Sequence, residues 1–150
     1  MNPFRLILGS TSRYRRELLE RLRLPFDIVA PDVDETPLPG EAPAALATRL
    51  ALAKAHAVAA LHPQALVIGS DQVCDLDGQP LGKPGTHARA VAQLQSLRGR
   101  SVVFHTAVAL VGRDSRGQPF EQQEMASVRV RFRMLQDEEI ETYLRLDEPY

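Results

Sequence analysis

Ala65-Leu66-Val67-Ile68-Gly69-Ser70-Asp71-Gln72-Val73 is the most informative run in the chain, because four consecutive apolar residues lead straight into small and polar ones. A short continuous apolar run bounded by turn-type residues is the pattern of a strand buried on both faces. That reading ends the strand at Ile68 and puts Asp71 at its mouth, where open α/β sheets place their ligands. A carboxylate there can hold a divalent cation or orient an attacking water. It can equally be a turn-forming aspartate.

On the N-terminal side, an alanine-rich segment over 44–61 carries Leu46, Leu50, Ala53, Ala57 and Leu61 at helical spacing, which predicts the buried stripe of a helix. Further upstream, Leu6-Ile7-Leu8 reads as a buried strand running into Gly9-Ser10-Thr11-Ser12. Ser12 then caps a helix to about Arg23, with Leu18, Leu19 and Leu22 inward. Residues 26–30 read as a second strand, and 31–43, with four prolines, as a loop.

On the C-terminal side, Asp77-Gly78 predicts a turn inside a hairpin excursion over 73–82. Thr86 caps a third helix with Val91, Leu94 and Leu97 inward. Two longer strands follow over 101–111 and 124–132, around a turn at 113–117. In the second, Val128, Val130 and Phe132 are read as the buried face and Arg129, Arg131 and Arg133 as the wet one. A last helix covers about 137–146. Strands alternating with helices, then a strand pair, predict an α/β fold with a mixed twisted sheet flanked by helices.

Composition narrows the function classes. The chain has 150 residues, 44% apolar and 25% charged, in the globular range. No apolar run approaches the ~20 residues of a membrane helix, and the first residues show no secretory cleavage pattern. No membrane partner and a cytoplasmic location are therefore expected. A net charge of −1 argues against nucleic acid as a partner. Cys74 is the lone cysteine, read as a small hydrophobe, and His56, His62, His87 and His105 lack zinc-site spacing. Sixteen of the 18 basic residues are arginine, which leaves Lys54 and Lys83 as the two lysines.

Besides Asp71, three places combine polar residues with element ends. Ser10 to Arg16 form a serine-rich turn entering a helix with Arg13, Arg15 and Arg16 on its first turn, against the helix dipole. An anion would relieve that conflict. Gly82-Lys83-Pro84-Gly85 is no Walker loop, since Gly78 and Gly82 are three residues apart and Pro84 stands where Ser or Thr is required. A lysine on a rigid turn still presents its ammonium to phosphate. Asp34-Glu35 follows the end of the second strand, and Lys54 lies next to the inward stripe, four residues after Leu50.

Taken in order, LILGSTSRYRRELL, Val33-Asp34-Glu35, RLALAKA, VIGSDQV, LGKP and the terminal DEP resemble the Maf family of nucleoside triphosphate pyrophosphatases. The resemblance runs from residue 6 to 149 and implies a Maf/ITPase-like fold with a central cleft. It implies hydrolysis between the α and β phosphates of a nucleoside triphosphate, with a divalent metal cation of Mg or Mn type, and allows a homodimer. By resemblance, Ser10 and Arg15 belong to the phosphate-binding turn. Glu35, Lys54 and Lys83 line the cleft, and Asp71 matches the proton acceptor; Glu35 and Asp71 are the expected metal ligands, with Asp71 either activating the water or helping to hold the ion. Tyr14 and Gln72 look like the branch acting on 7-methyl-GTP, whose positively charged base suits an aromatic ring. The alternatives are a dTTP or UTP pyrophosphatase of the same family, or a nucleotide-binding regulatory module without turnover. Members of the family continue past DEP, so the single Maf-like domain read over 1–150 is expected to lack a C-terminal strand and helix.

Overall fold

The computed structural model describes residues 5–82 and 84–147. Its elements are β1 (Arg5–Gly9), α1 (Arg13–Glu20), β2 (Asp27–Ile28), α2 (Pro43–Leu61), β3 (Ala65–Leu76), β4 (Gln79–Leu81), α3 (His87–Leu97), β5 (Ser101–Arg113), β6 (Pro119–Arg131) and α4 (Asp137–Asp147). They build one mixed sheet in the order β2-β1-β3-β5-β6, with β4 also on β3. β1 is parallel to β2 and β3, whereas β5 is antiparallel to β3 and β6. The expected mixed α/β fold is therefore present.

The decisive departure is in β3. The strand does not end at Ile68 but continues through Gly-Ser-Asp-Gln to Leu76, held by β5 in unbroken register from Val67↔Val111 to Asp75↔Val103. Asp71 is thus mid-strand, opposite Ala107. The opening at this point comes from the other edge of β3. β1 pairs with it only as far as Gly9↔Gly69, and β4 begins only at Cys74↔Leu81. Residues 70–73 therefore border a notch in the sheet, at the carboxyl end of β1.

α2 lies across the sheet beside this notch. Leu46, Ala47, Leu50, Ala51, Ala55 and Val58 pack with Ile7, Val67, Val73, Ala107, Ala109 and Val111 in the main core. Burying each of the larger aliphatic chains contributes roughly 1.5–3 kcal/mol. The stripe is rotated from the expected one, since Ala53 and Ala57 are half-buried and Leu61 is exposed. Lys54 consequently falls within the inward face, three residues after Ala51 and four before Val58. By length and hydropathy alone α2 could cross a bilayer, against the expectation that no segment would, yet here it carries the core of the sheet.

Two glycines let the helix come this close. Gly9 and Gly69 are register partners, and a Cβ on Gly69 would lie 2.3 Å from the Ala51 carbonyl oxygen and 2.7 Å from Ala55 N. A second cluster, around Ala90, Ile140 and Leu144, joins α3 and α4, with Val91 and Leu94 half-buried against it.

Elsewhere the packing is more open than the apolar pattern predicts. Leu19 is buried on α1, but Leu18 and Leu22 are exposed. β6 is half-paired at the end of the sheet, and Val128 is exposed instead of facing a core.

Candidate active site

The polar residues at the notch converge on Lys54. Its ammonium donates to Glu35 Oε1 at 2.8 Å and to Asp71 Oδ1 at 2.9 Å. The Lys54 and Asp71 side chains are each only 12% exposed, whereas Glu35 is 60% exposed. The pair is thus largely withdrawn from water, with Glu35 closing it from outside. A charged hydrogen bond in such a setting contributes roughly 1.5–3 kcal/mol.

The turn after β1 supplies the second half of the site. Ser10 is buried, and its Oγ accepts from Ser12 N at 3.1 Å and from Arg15 Nη1 at 3.5 Å. Ser12 caps α1 as expected, accepting from Arg15 N at 3.3 Å. Burial pushes the Arg15 guanidinium below its ordinary pKa, while the Asp71 and Glu35 carboxylates pull it back up. Arg15 therefore feels the same two carboxylates that Lys54 binds, and a cation already paying for desolvation gains from an arriving anion. Ser10, Arg15, Glu35, Lys54 and Asp71 form one constellation.

Tyr14 and Gln72 stand outside it. Tyr14 is 65% exposed on α1, with the Arg13 guanidinium 5.5 Å from its ring centroid. Gln72 follows Asp71 in a strand, so its side chain leaves the opposite face of the sheet. There Nε2 donates to Thr106 Oγ1 at 3.0 Å, its register partner on β5. That face carries a groove of about 690 Å³ bordered by Gln72, Phe104, Phe132 and Tyr143. Gly82 and Pro84 border the same groove; Lys83 between them lies outside the described residues.

Glu35 and Asp71 meet at the Lys54 ammonium, and carboxylates so grouped are hard oxygen donors of the kind a divalent cation takes beside substrate phosphates and water. Among the described residues no group of three or more His, Cys, Asp or Glu side chains forms a complete protein cage. The donor set of Glu35 and Asp71 thus fits a Mg²⁺-type ion bound with its substrate. Cys74 takes no part: burial and the neighbouring Asp75 push its thiol up, keeping it protonated.

Several contributors were not anticipated. Gly9 and Gly69 set the helix-to-sheet distance that brings Lys54 to Asp71, and only their position in two separate motifs hints at it. Arg49 ties the loop carrying Glu35 to α2 through Glu41 and the Thr36 carbonyl. Asp34 accepts from Thr36 N at 2.9 Å, so the acid beside Glu35 shapes the turn and does not join the cluster.

The Maf-like protein family profile matches residues 5–150. The chain is 68% identical over 145 residues to a protein of Polaromonas sp. (strain JS666) named 7-methyl-GTP pyrophosphatase, covering 97% of this chain and 65% of the relative. It is 62% identical over 146 residues to one of the same name from Albidiferax ferrireducens, covering 97% and 72%. The chain therefore spans about two-thirds of the length of these relatives. Among solved structures, a HAM1 protein from Coxiella burnetii aligns at TM-score 0.51 and 21% identity, over 83% of this chain and 71% of that one. The Staphylococcus aureus Ham1 protein aligns at 0.53 and 17%, over 82% and 70%. These two likenesses concern the fold alone. The profile match over nearly all residues, joined to relatives this similar in sequence, establishes that the chain belongs to the Maf family.

Proposed function

We propose that the protein is a nucleoside triphosphate pyrophosphatase that hydrolyses 7-methyl-GTP to 7-methyl-GMP and pyrophosphate. The observation that carries the reaction type is the Lys54 ammonium held between Glu35 and Asp71 at 2.8 and 2.9 Å, beside the Ser10–Arg15 turn. The substrate rests on the name shared by the relatives and on the resemblance of Tyr14 and Gln72 to the branch acting on 7-methyl-GTP.

In this reading Arg15 and the Ser10 turn receive the phosphate chain, and Lys83 is assigned a second ammonium toward it by the family resemblance alone. Lys54 fixes Oδ1 of Asp71, leaving Oδ2 to take a proton from water. The water oxygen bonds to the α-phosphorus, the bond from that phosphorus to the bridging oxygen breaks, and pyrophosphate leaves with the electron pair. A divalent cation held by Glu35 and Asp71 would neutralise charge on the phosphates. Asp71, Lys54 and Arg15 orient the reacting groups and balance the charge that develops. Tyr14 offers an exposed ring to a cationic base, a contact of roughly 0.5–2 kcal/mol.

The test is a panel of 7-methyl-GTP, GTP, dTTP and UTP scored by pyrophosphate release. Highest kcat/KM on 7-methyl-GTP is expected. Preference for UTP or dTTP would overturn the substrate, and binding without turnover would overturn the reaction.

A further inference from the structure

We infer that Arg49 is a positioning residue for the reaction, fastening residues 36–41 to α2 so that Glu35 is delivered to Lys54. The inference rests on the functional reading of Glu35 given above. Residues 29–42 contain no helix or strand, and Pro31, Pro37 and Pro39 deny that segment backbone donors. Its shape must come from side chains.

Arg49 supplies it. Nε donates to Glu41 Oε2 at 2.7 Å, and Nη2 donates to Glu41 Oε1 at 3.0 Å and to the Thr36 carbonyl at 3.1 Å. Glu41 Oε1 also accepts from Leu38 N at 3.0 Å, and Glu41 N donates to the Leu38 carbonyl at 3.1 Å. The Glu41 side chain is only 8% exposed, so this is no loose surface pair. Both ends of the 36–41 segment are thus gripped by one guanidinium. Glu35 and Thr36 are adjacent, and one helix holds both, the first through Lys54 and the second through Arg49. Lysine cannot substitute, because a point charge does not reproduce the planar fork that spans two carboxylate oxygens and a carbonyl.

The experiment compares wild type, Arg49→Gln, Arg49→Lys, Glu35→Gln and Arg49→Gln/Glu35→Gln by pyrophosphate release from 7-methyl-GTP and by thermal melting. Arg49→Gln should lower kcat about as much as Glu35→Gln does, Arg49→Lys should restore little, and the double variant should be no slower than Glu35→Gln alone. Should Arg49→Gln fail to fold, Glu41→Gln opens the same clamp from its other side and should show the same non-additivity. A lower melting temperature with unchanged kcat, or effects that multiply, would make Arg49 merely structural and overturn the inference. If Glu35→Gln itself turns over like wild type, the reading of Glu35 fails instead, and the two failures are told apart.

Discussion

Removing the Lys54 ammonium should expose how much of the site is a coupled unit. Lys54→Met keeps an unbranched stem in the helix face but deletes the charge between Glu35 and Asp71. The bond to Asp71 is worth roughly 1.5–3 kcal/mol, because both side chains are only 12% exposed. The bond to Glu35, 60% exposed, adds at most about 1 kcal/mol. A carboxylate left with little access to water makes the single variant less stable by about 2–4 kcal/mol. Lys54→Met/Asp71→Asn leaves two neutral side chains, so its loss should fall short of the sum of the singles by about 1–2 kcal/mol. Urea unfolding of the four proteins at pH 7, with unchanged m-values, measures this coupling. A coupling below ~0.5 kcal/mol, within ordinary additivity, would refute the reasoning.

Gly69→Ala should destabilise the protein by roughly 1–3 kcal/mol or more and lower turnover as well, since the new Cβ meets helix backbone that no rotamer can move. Gly9→Ala should cost less, because its nearest neighbour is the movable Val58 side chain at 3.1 Å; equal melting temperatures for the two would contradict this. The Arg49 hydrogen bond holds the Glu41 carboxyl below its ordinary pKa. Its stabilising effect is therefore present at neutral pH and lost as pH falls through the lowered folded value. The gap in urea midpoint between wild type and Glu41→Gln should accordingly be open at pH 7 and narrow as pH falls below the ordinary glutamate range; a pH-independent gap would count against the clamp.

The order of elements was legible because it rests on local pattern, namely apolar runs, helical spacing and turn residues; local pattern singled out Lys54, Glu35 and Asp71 separately, and only the family resemblance put them in one cleft. β3 was misjudged because Gly69-Ser70-Asp71-Gln72 has turn composition, while its extended form is imposed by nine register pairs with β5, far away in sequence. The α2 stripe came out rotated because alanine on nearly every face gives little contrast between inside and outside. Leu18, Leu22 and Val128 look like core residues by type, yet burial depends on what packs over them. The meeting of Gly9 with Gly69 is a fact of parallel register, which neither motif carries alone.

The most direct test of Asp71 acting on the α-phosphorus is hydrolysis of 7-methyl-GTP in ¹⁸O-labelled water, with mass spectrometry of both products, for wild type and Asp71→Asn. The label should appear in 7-methyl-GMP and not in pyrophosphate, and Asp71→Asn should bind the nucleotide while losing roughly 10²–10⁴-fold in turnover. Label in the pyrophosphate, release of orthophosphate, or undiminished turnover by Asp71→Asn would contradict it.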